Sequence, residues 1–272
     1  MKKTIGVAGL VAILALAATA PSALAQCGGQ LLIKFDADCF AYESNATLSV
    51  IEGGTGAWKS NAGSNLTVVG LITLFCAPLD NMTPDLTSPY SNEYTFVWDG
   101  LSALAATSED PTFGLPPGTP AGNTGGKKWD TDYDPGSFAI YEDFTPEAPR
   151  AGSMPAGPPN GTVPVTFQDG TLILSGALTG LHTIVTRNTS LSSAVWGGTF
   201  SAAWQATGGS RFGVPPTDIA GNINALNGNW CGKYPSGCTP VGYTAHPNGK
   251  FDYDQPTEAR SSTWGAIKQL YR

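Results

Sequence analysis

The sequence predicts an all-β protein, an antiparallel β-sandwich or barrel with long Pro/Gly-rich loops and a short C-terminal amphipathic helix. Three observations carry this. Short segments rich in β-branched and aromatic residues recur along the chain, separated by Gly, Asn and Pro clusters. Glycine (34) and proline (21) together supply about a fifth of the 272 residues, and only 13% are charged. No window before residue 260 holds a sustained 3.6-residue apolar period. Seven Trp, eleven Phe and nine Tyr exclude a disordered chain.

The elements follow in order. The first 25 residues are MKKTIGVAGLVAILALAATAPSALA. Lys2 and Lys3, an apolar run from Val7 to Ala20, and Ala23-Leu24-Ala25 make a secretory leader with cleavage before Gln26. The run is shorter than the roughly 20 residues that span a bilayer. Gln26 directly before Cys27 disfavours lipidation, where a small residue is needed. The short basic start and Ala-rich run point to a bacterial exporter, and the expected location is periplasmic, extracellular or at the cell surface. Cleavage takes two lysines and no acid, so the net charge of −7 becomes −9. No basic cluster exceeds Lys127-Lys128, which excludes nucleic acid and an anionic membrane as partners. The mature chain is expected to carry no transmembrane anchor; its most apolar stretch, LTVVGLITLFCAPL, reads as buried strand.

Strands are expected at LLIKF (31–35), TLSVI (47–51), LTVVGLITLF (66–75), YTFVW (94–98) and FAIYEDF (138–144). The segment 109–134 and the stretch PEAPRAGSMPAGPPNG after Thr145 read as loops. Val163, Val165 and Phe167 alternate ahead of Asp169-Gly170, so TVPVTF and TLIL are expected to form a type I′ hairpin. LHTIVT (181–186) and GTFSAAWQA (198–206) continue the series, the latter with Phe200, Trp204 and Ala206 on one face. The expected organisation is a leader over 1–25 and a β domain over 26–230, single or divided into two subdomains near 109–134. A Pro/Gly-rich tail over 231–272 follows. It ends in SSTWGAIKQLYR (261–272), where Trp264, Ile267 and Tyr271 share one helical face and a Ser or Thr caps the start. That helix either docks on its own domain or serves as an attachment signal.

GGTGAWKS (53–60) differs from a phosphate-binding loop by Trp58 at the second glycine. That loop needs a following helix, and NAGSNLTVVGLIT reads as turn and strand instead. A related arrangement at 204–224 suggests a turn motif used twice. The turn Gly-Gly-Thr-Gly-x-aromatic resembles one found in dirigent and allene-oxide-cyclase-type β-barrels. The resemblance spans about a dozen residues; it implies a barrel or sandwich and carries no activity across.

Five cysteines in an exported chain imply disulfides with one thiol left over. Cys231 and Cys238 enclose the tight loop GKYPSG and are the expected pair. The second bridge joins two of Cys27, Cys39 and Cys76, with Cys39–Cys76 favoured because both lie in strand-like runs. Among acids, Asp130, Asp132 and Asp134 approach Gly136 in the manner of a calcium loop, with Glu142 near the closing position. Calcium is thus the one candidate cofactor, set against a merely solvated acidic loop; Asp252 and Asp254 are a weaker second site. His182 and His246 are the only histidines, without a Gly-x-Ser-x-Gly elbow or a zinc motif. Trp98, Trp196 and Trp204 belong to strand runs and the core. Trp58 and Trp129 fall in expected loops and are the candidate glycan-contact platforms. Five Asn-x-Ser/Thr sequons follow from composition alone. The expectation is a non-enzymatic exported β protein with a structural, adhesive or surface-interaction role, whose partner is a cell surface or a polysaccharide. The alternatives are a carbohydrate-binding module and a secreted hydrolase of unrecognised type.

Overall fold

The computed structural model describes residues 27, 31–51, 55–87, 89–109, 127–148, 165–187, 196–212, 224–231, 239 and 242–253. The leader, the 261–272 segment and Cys238 lie outside them. The strands are β1 Leu31–Glu43, β2 Thr47–Ile51, β3 Thr55–Lys59, β4 Asn65–Phe75, β5 Glu93–Ser102 and β6 Ser108–Glu109. They continue with β7 Lys127–Asp132, β8 Gly136–Asp143, β9 Thr171–Arg187, β10 Trp196–Gly208, β11 Asn224–Cys231 and β12 His246–Asp252. Eight of them, in the order β10-β11-β12-β1-β4-β5-β8-β9, close on themselves through β9–β10 pairing. Every pairing is antiparallel. Closure removes the open edges that would otherwise recruit other strands. Among the described residues, no helix is long and apolar enough to cross a membrane.

One pole of the barrel, here the entry pole, gathers Leu31, Phe75, Glu93, Asp143 and Asp252, which register pairs bring together. The opposite, far pole gathers Glu43, Leu66, Ser102, Trp196 and Cys231. β9 is long enough to serve two partners: its first half pairs with β8 and its second with β7, which carries β6 on its outer side. The β2–β3 hairpin sends buried Ala57 and Ser60 into the far pole.

Alternation drives the packing. Inward positions of the waist are Phe35, Phe96, Trp98, Phe138, Phe200, Trp204 and Phe251, all buried. Trp98 touches four rings, with centroids 5.6 Å from Phe35, 5.5 Å from Phe96, 5.6 Å from Phe200 and 6.4 Å from Phe251. An eight-stranded barrel is just wide enough for such side chains to fill it. Two glycines make the fit possible. The row Phe200–Gly228–Gly249–Phe35 crosses four strands in register. A Cβ at Gly228 would stand 2.7 Å from the Phe200 ring and 2.0 Å from the Asn248 carbonyl oxygen. A second, outer apolar cluster of Phe40, Val69, Leu71 and Val97 is covered by Ala148, Phe167 and Tyr243.

Several expectations are corrected here. Residues 165–167 form a 3₁₀ turn, not a hairpin strand, because Phe167 is buried in the outer cluster and Thr95 Oγ1 donates to its carbonyl at 3.0 Å. β7 lies within the segment read as a loop over 109–134, with Glu109 of β6 at its edge, and both strands join the same sheet. β12 lies within the expected 231–272 tail and completes the barrel; Pro247 and Gly249 at its inward positions disguise it. GGTGAWKS leads from β3 into a turn and β4, with no helix to receive a phosphate. The second bridge is Cys27–Cys76 (S–S 2.03 Å), not Cys39–Cys76. Cys39 opposes Gly70 in the middle of β4, fully buried, and burial raises its thiol well above the ordinary value. Cys231 is disulfide-bonded.

Candidate functional sites

Two concavities stand out, one inside the far pole and one on the outer wall. The inner chamber is built where alternation continues past the aromatic waist but the residue types change. On β1 the inward positions run Cys39, Ala41, Glu43. Thr131 of β7 and Thr183 of β9 face them, and Ser60, Thr107, Tyr133 and Thr244 arrive from connecting segments; all line one chamber with Trp58, Trp129 and Trp230. The space left is about 20 Å³, enough for one water-sized body.

Hydrogen bonds in the chamber centre on Glu43, which is 6% exposed. Ser60 Oγ donates to Glu43 Oε2 at 2.8 Å, and Tyr133 OH reaches the same oxygen at 3.4 Å and Ser60 Oγ at 3.0 Å. Among the described residues Oε1 is buried with no hydrogen-bond partner. Burial pushes the carboxyl up to about 7, against the opposing pull of the Ser60 and Tyr133 hydroxyls. Burial, then the charge of Glu43, holds the Tyr133 hydroxyl well above its ordinary value. Thr107 braces the wall: Ser60 N donates to its Oγ1 at 2.9 Å, and that oxygen lies 2.9 Å from Thr131 Oγ1. Chemically the chamber holds one protonatable, buried acid in a hydroxyl-lined space. No sequence motif announced it, and Glu43 lay beyond the strand expected at 31–35.

The outer groove, about 810 Å³, runs over β10, β11, β12 and β1. Its floor is backbone at Gly228 and Gly249, with Phe35 and Phe200 behind. Its walls are the outward side chains of Asn227, Asn229, Asn248, Thr199, Lys34 and Asp36. Lys34 pairs with Asp36 at 3.4 Å. Lys250 pairs at 2.8 Å with Asp252, which also accepts from Asn227 Nδ2 at 3.1 Å. The charges are mutually neutralised, which leaves amides as the main recognition groups.

The expected calcium ligands do not converge. Asp130 and Asp132 lie in β7 rather than a loop, because a period of two fits a strand as well as a calcium loop. They flank His182 on the outer wall: Asp132 Oδ1 meets Nδ1 at 2.7 Å and Asp130 Oδ1 meets Nε2 at 3.6 Å. Asp134 sits in the following turn. Glu142 lies eight residues further, on the order of 25 Å along β8, where Tyr94 OH donates to it at 2.5 Å. Among the described residues, no group of three or more His, Cys, Asp or Glu is placed to hold a metal. Ser201 opposes His182 on β10 in backbone register only.

The two expected glycan platforms both line the far-pole chamber. Trp129 is 2% exposed, its ring tilted against that of Trp196 at 4.5 Å, with the Lys59 ammonium 4.7 Å from its ring centroid. Trp58 is half-buried in the chamber wall. Trp98, Trp196 and Trp204 fill the core as expected. Asp252 belongs to the groove's ion pair, and Asp254 lies outside the described residues.

What the fold defines is a filled, eight-stranded antiparallel barrel with a buried acid at one pole. Compared with known proteins, the chain matches no family model, no curated sequence and no solved structure.

Proposed function

We propose that this chain is an exported, non-enzymatic barrel whose work is surface interaction, with the outer groove as its contact face. The observation that carries this is the size of the outer groove, about 810 Å³, against about 20 Å³ in the far-pole chamber. No substrate fits beside Glu43, which weighs against the hydrolase reading. The leader read at 1–25 and the Cys27–Cys76 bridge support export. Asparagine amides both donate and accept, as the hydroxyls of a neutral polysaccharide do, so the groove favours a glycan partner within this adhesive role. The contact uses amides rather than the tryptophan platforms expected from sequence.

The test is retention on a panel of insoluble polysaccharides, with and without Asn229→Ala/Asn248→Ala. At least one neutral polymer should retain the wild type, and the double variant should lose most of that retention while melting at the same temperature. Equal retention of both proteins, or retention on none, would overturn the assignment of the groove.

A further inference from the structure

The far-pole chamber calls for an occupant. Glu43 Oε1 is buried without a partner beside a space of about 20 Å³. Oxygen atoms surround that space: the hydroxyls of Thr131 and Thr183 and the Ser60–Tyr133 pair at the other carboxylate oxygen. The rings of Trp129 and Trp230 complete the wall. A carboxylate in such surroundings needs neutralising by a proton or by a counter-ion that fits. Of the charged and titratable groups close by, Tyr133 is held neutral by burial and the Lys59 ammonium lies over the Trp129 ring.

We propose that the chamber is a monovalent-cation site, in which a dehydrated potassium or ammonium ion sits beside Glu43 Oε1 when that residue has lost its proton. The ligand set selects the charge. Calcium takes roughly 6–8 oxygens, several of them carboxylates, and magnesium keeps waters that have no room here. One carboxylate, neutral hydroxyls and indole faces instead suit a weakly hydrated ion of about water's size. Proton and cation compete for one oxygen, so occupancy rises as Glu43 ionises.

The experiment is thermal melting of the full-length protein at about pH 8.5 and constant ionic strength, with potassium, ammonium, sodium or tetramethylammonium chloride. Potassium or ammonium should raise the melting temperature by several degrees between about 1 and about 100 mM, by mass action. Tetramethylammonium, too large for the chamber, should not. At about pH 5.5 the proton holds the site and the cation response should vanish. Glu43→Gln should also abolish it, and the comparison of the two pH values on the wild type decides the matter if that variant does not fold. Equal melting in all four salts at high pH would overturn the site. So would a response that persists at low pH or in Glu43→Gln, and a response to sodium alone would overturn the size argument.

Discussion

The waist of the barrel and its far pole obey the same alternation and hold opposite contents. In the waist, inward positions carry Phe35, Phe96, Trp98, Phe200 and Phe251, and rings meet rings at 4.8–6.4 Å. Toward the far pole, inward positions carry Glu43 on β1, Thr131 on β7 and Thr183 on β9. The waist tolerates inexact geometry, because dispersion and hydrophobic burial are non-directional. The far pole does not, because each buried hydroxyl must find a donor or acceptor at hydrogen-bond distance. A period of two therefore decides what faces inward, while residue chemistry decides how strictly it must be placed.

The comparison breaks most visibly at Trp98. Trp98→Ala removes the ring that four others touch, and urea unfolding should show a loss of about 3–5 kcal/mol. A loss below about 1 kcal/mol would mean that the waist is not the stabilising half.

Next comes the pH dependence of the far pole. The Glu43 carboxyl is raised from 4.5 to about 7 on folding. Between those values the folded chain keeps a proton that the unfolded chain has lost, so stability falls as pH rises and levels off above about 7. The shift corresponds to roughly 3 kcal/mol at most. Urea midpoints measured in a potassium-free buffer should decline across that window. Glu43→Gln should flatten the decline and exceed the wild type at about pH 8. A wild-type midpoint that rises across the window would contradict the raised value.

Two smaller effects sharpen the contrast. Gly228→Ala drives a methyl into the Asn248 carbonyl and the Phe200 ring and should cost about 1–3 kcal/mol, read from calorimetric melting. Thr107→Val deletes the hydroxyl that braces Ser60 and Thr131, and should cost about 1 kcal/mol in chemical denaturation. If Thr107→Val proves more damaging than Gly228→Ala, the far pole rather than the waist sets the tolerance of the fold.

Legibility in the sequence divides along the same line. The waist could be read: GTFSAAWQA placed Phe200, Trp204 and Ala206 on one face, and all three are buried. The far pole could not, because Glu43, Ser60 and Tyr133 come from three separate places and meet only when the barrel closes. β7 went unread because its outward Lys128, Asp130 and Asp132 gave KKWDTD the composition of a loop. Its inward Trp129 and Thr131 carried the period that mattered. The same disguise made Trp129 an expected platform and the aspartates an expected calcium loop. TVPVTFQDGTLIL misled in the other direction: Asp169-Gly170 forms a bend without the positive φ of a type I′ turn, and the TLIL strand pairs with β8 instead.

The pairing of β1 with β12 sets Leu31 opposite Asp252, so the chain enters and leaves the barrel at one point. The two ends of the sheet work as a single stem, with the Cys27–Cys76 bridge tied off beside it and the Glu43 chamber at the opposite tip. A short linker from Asp252 back to Leu31 would let the chain be reopened at a far-pole turn without breaking a strand.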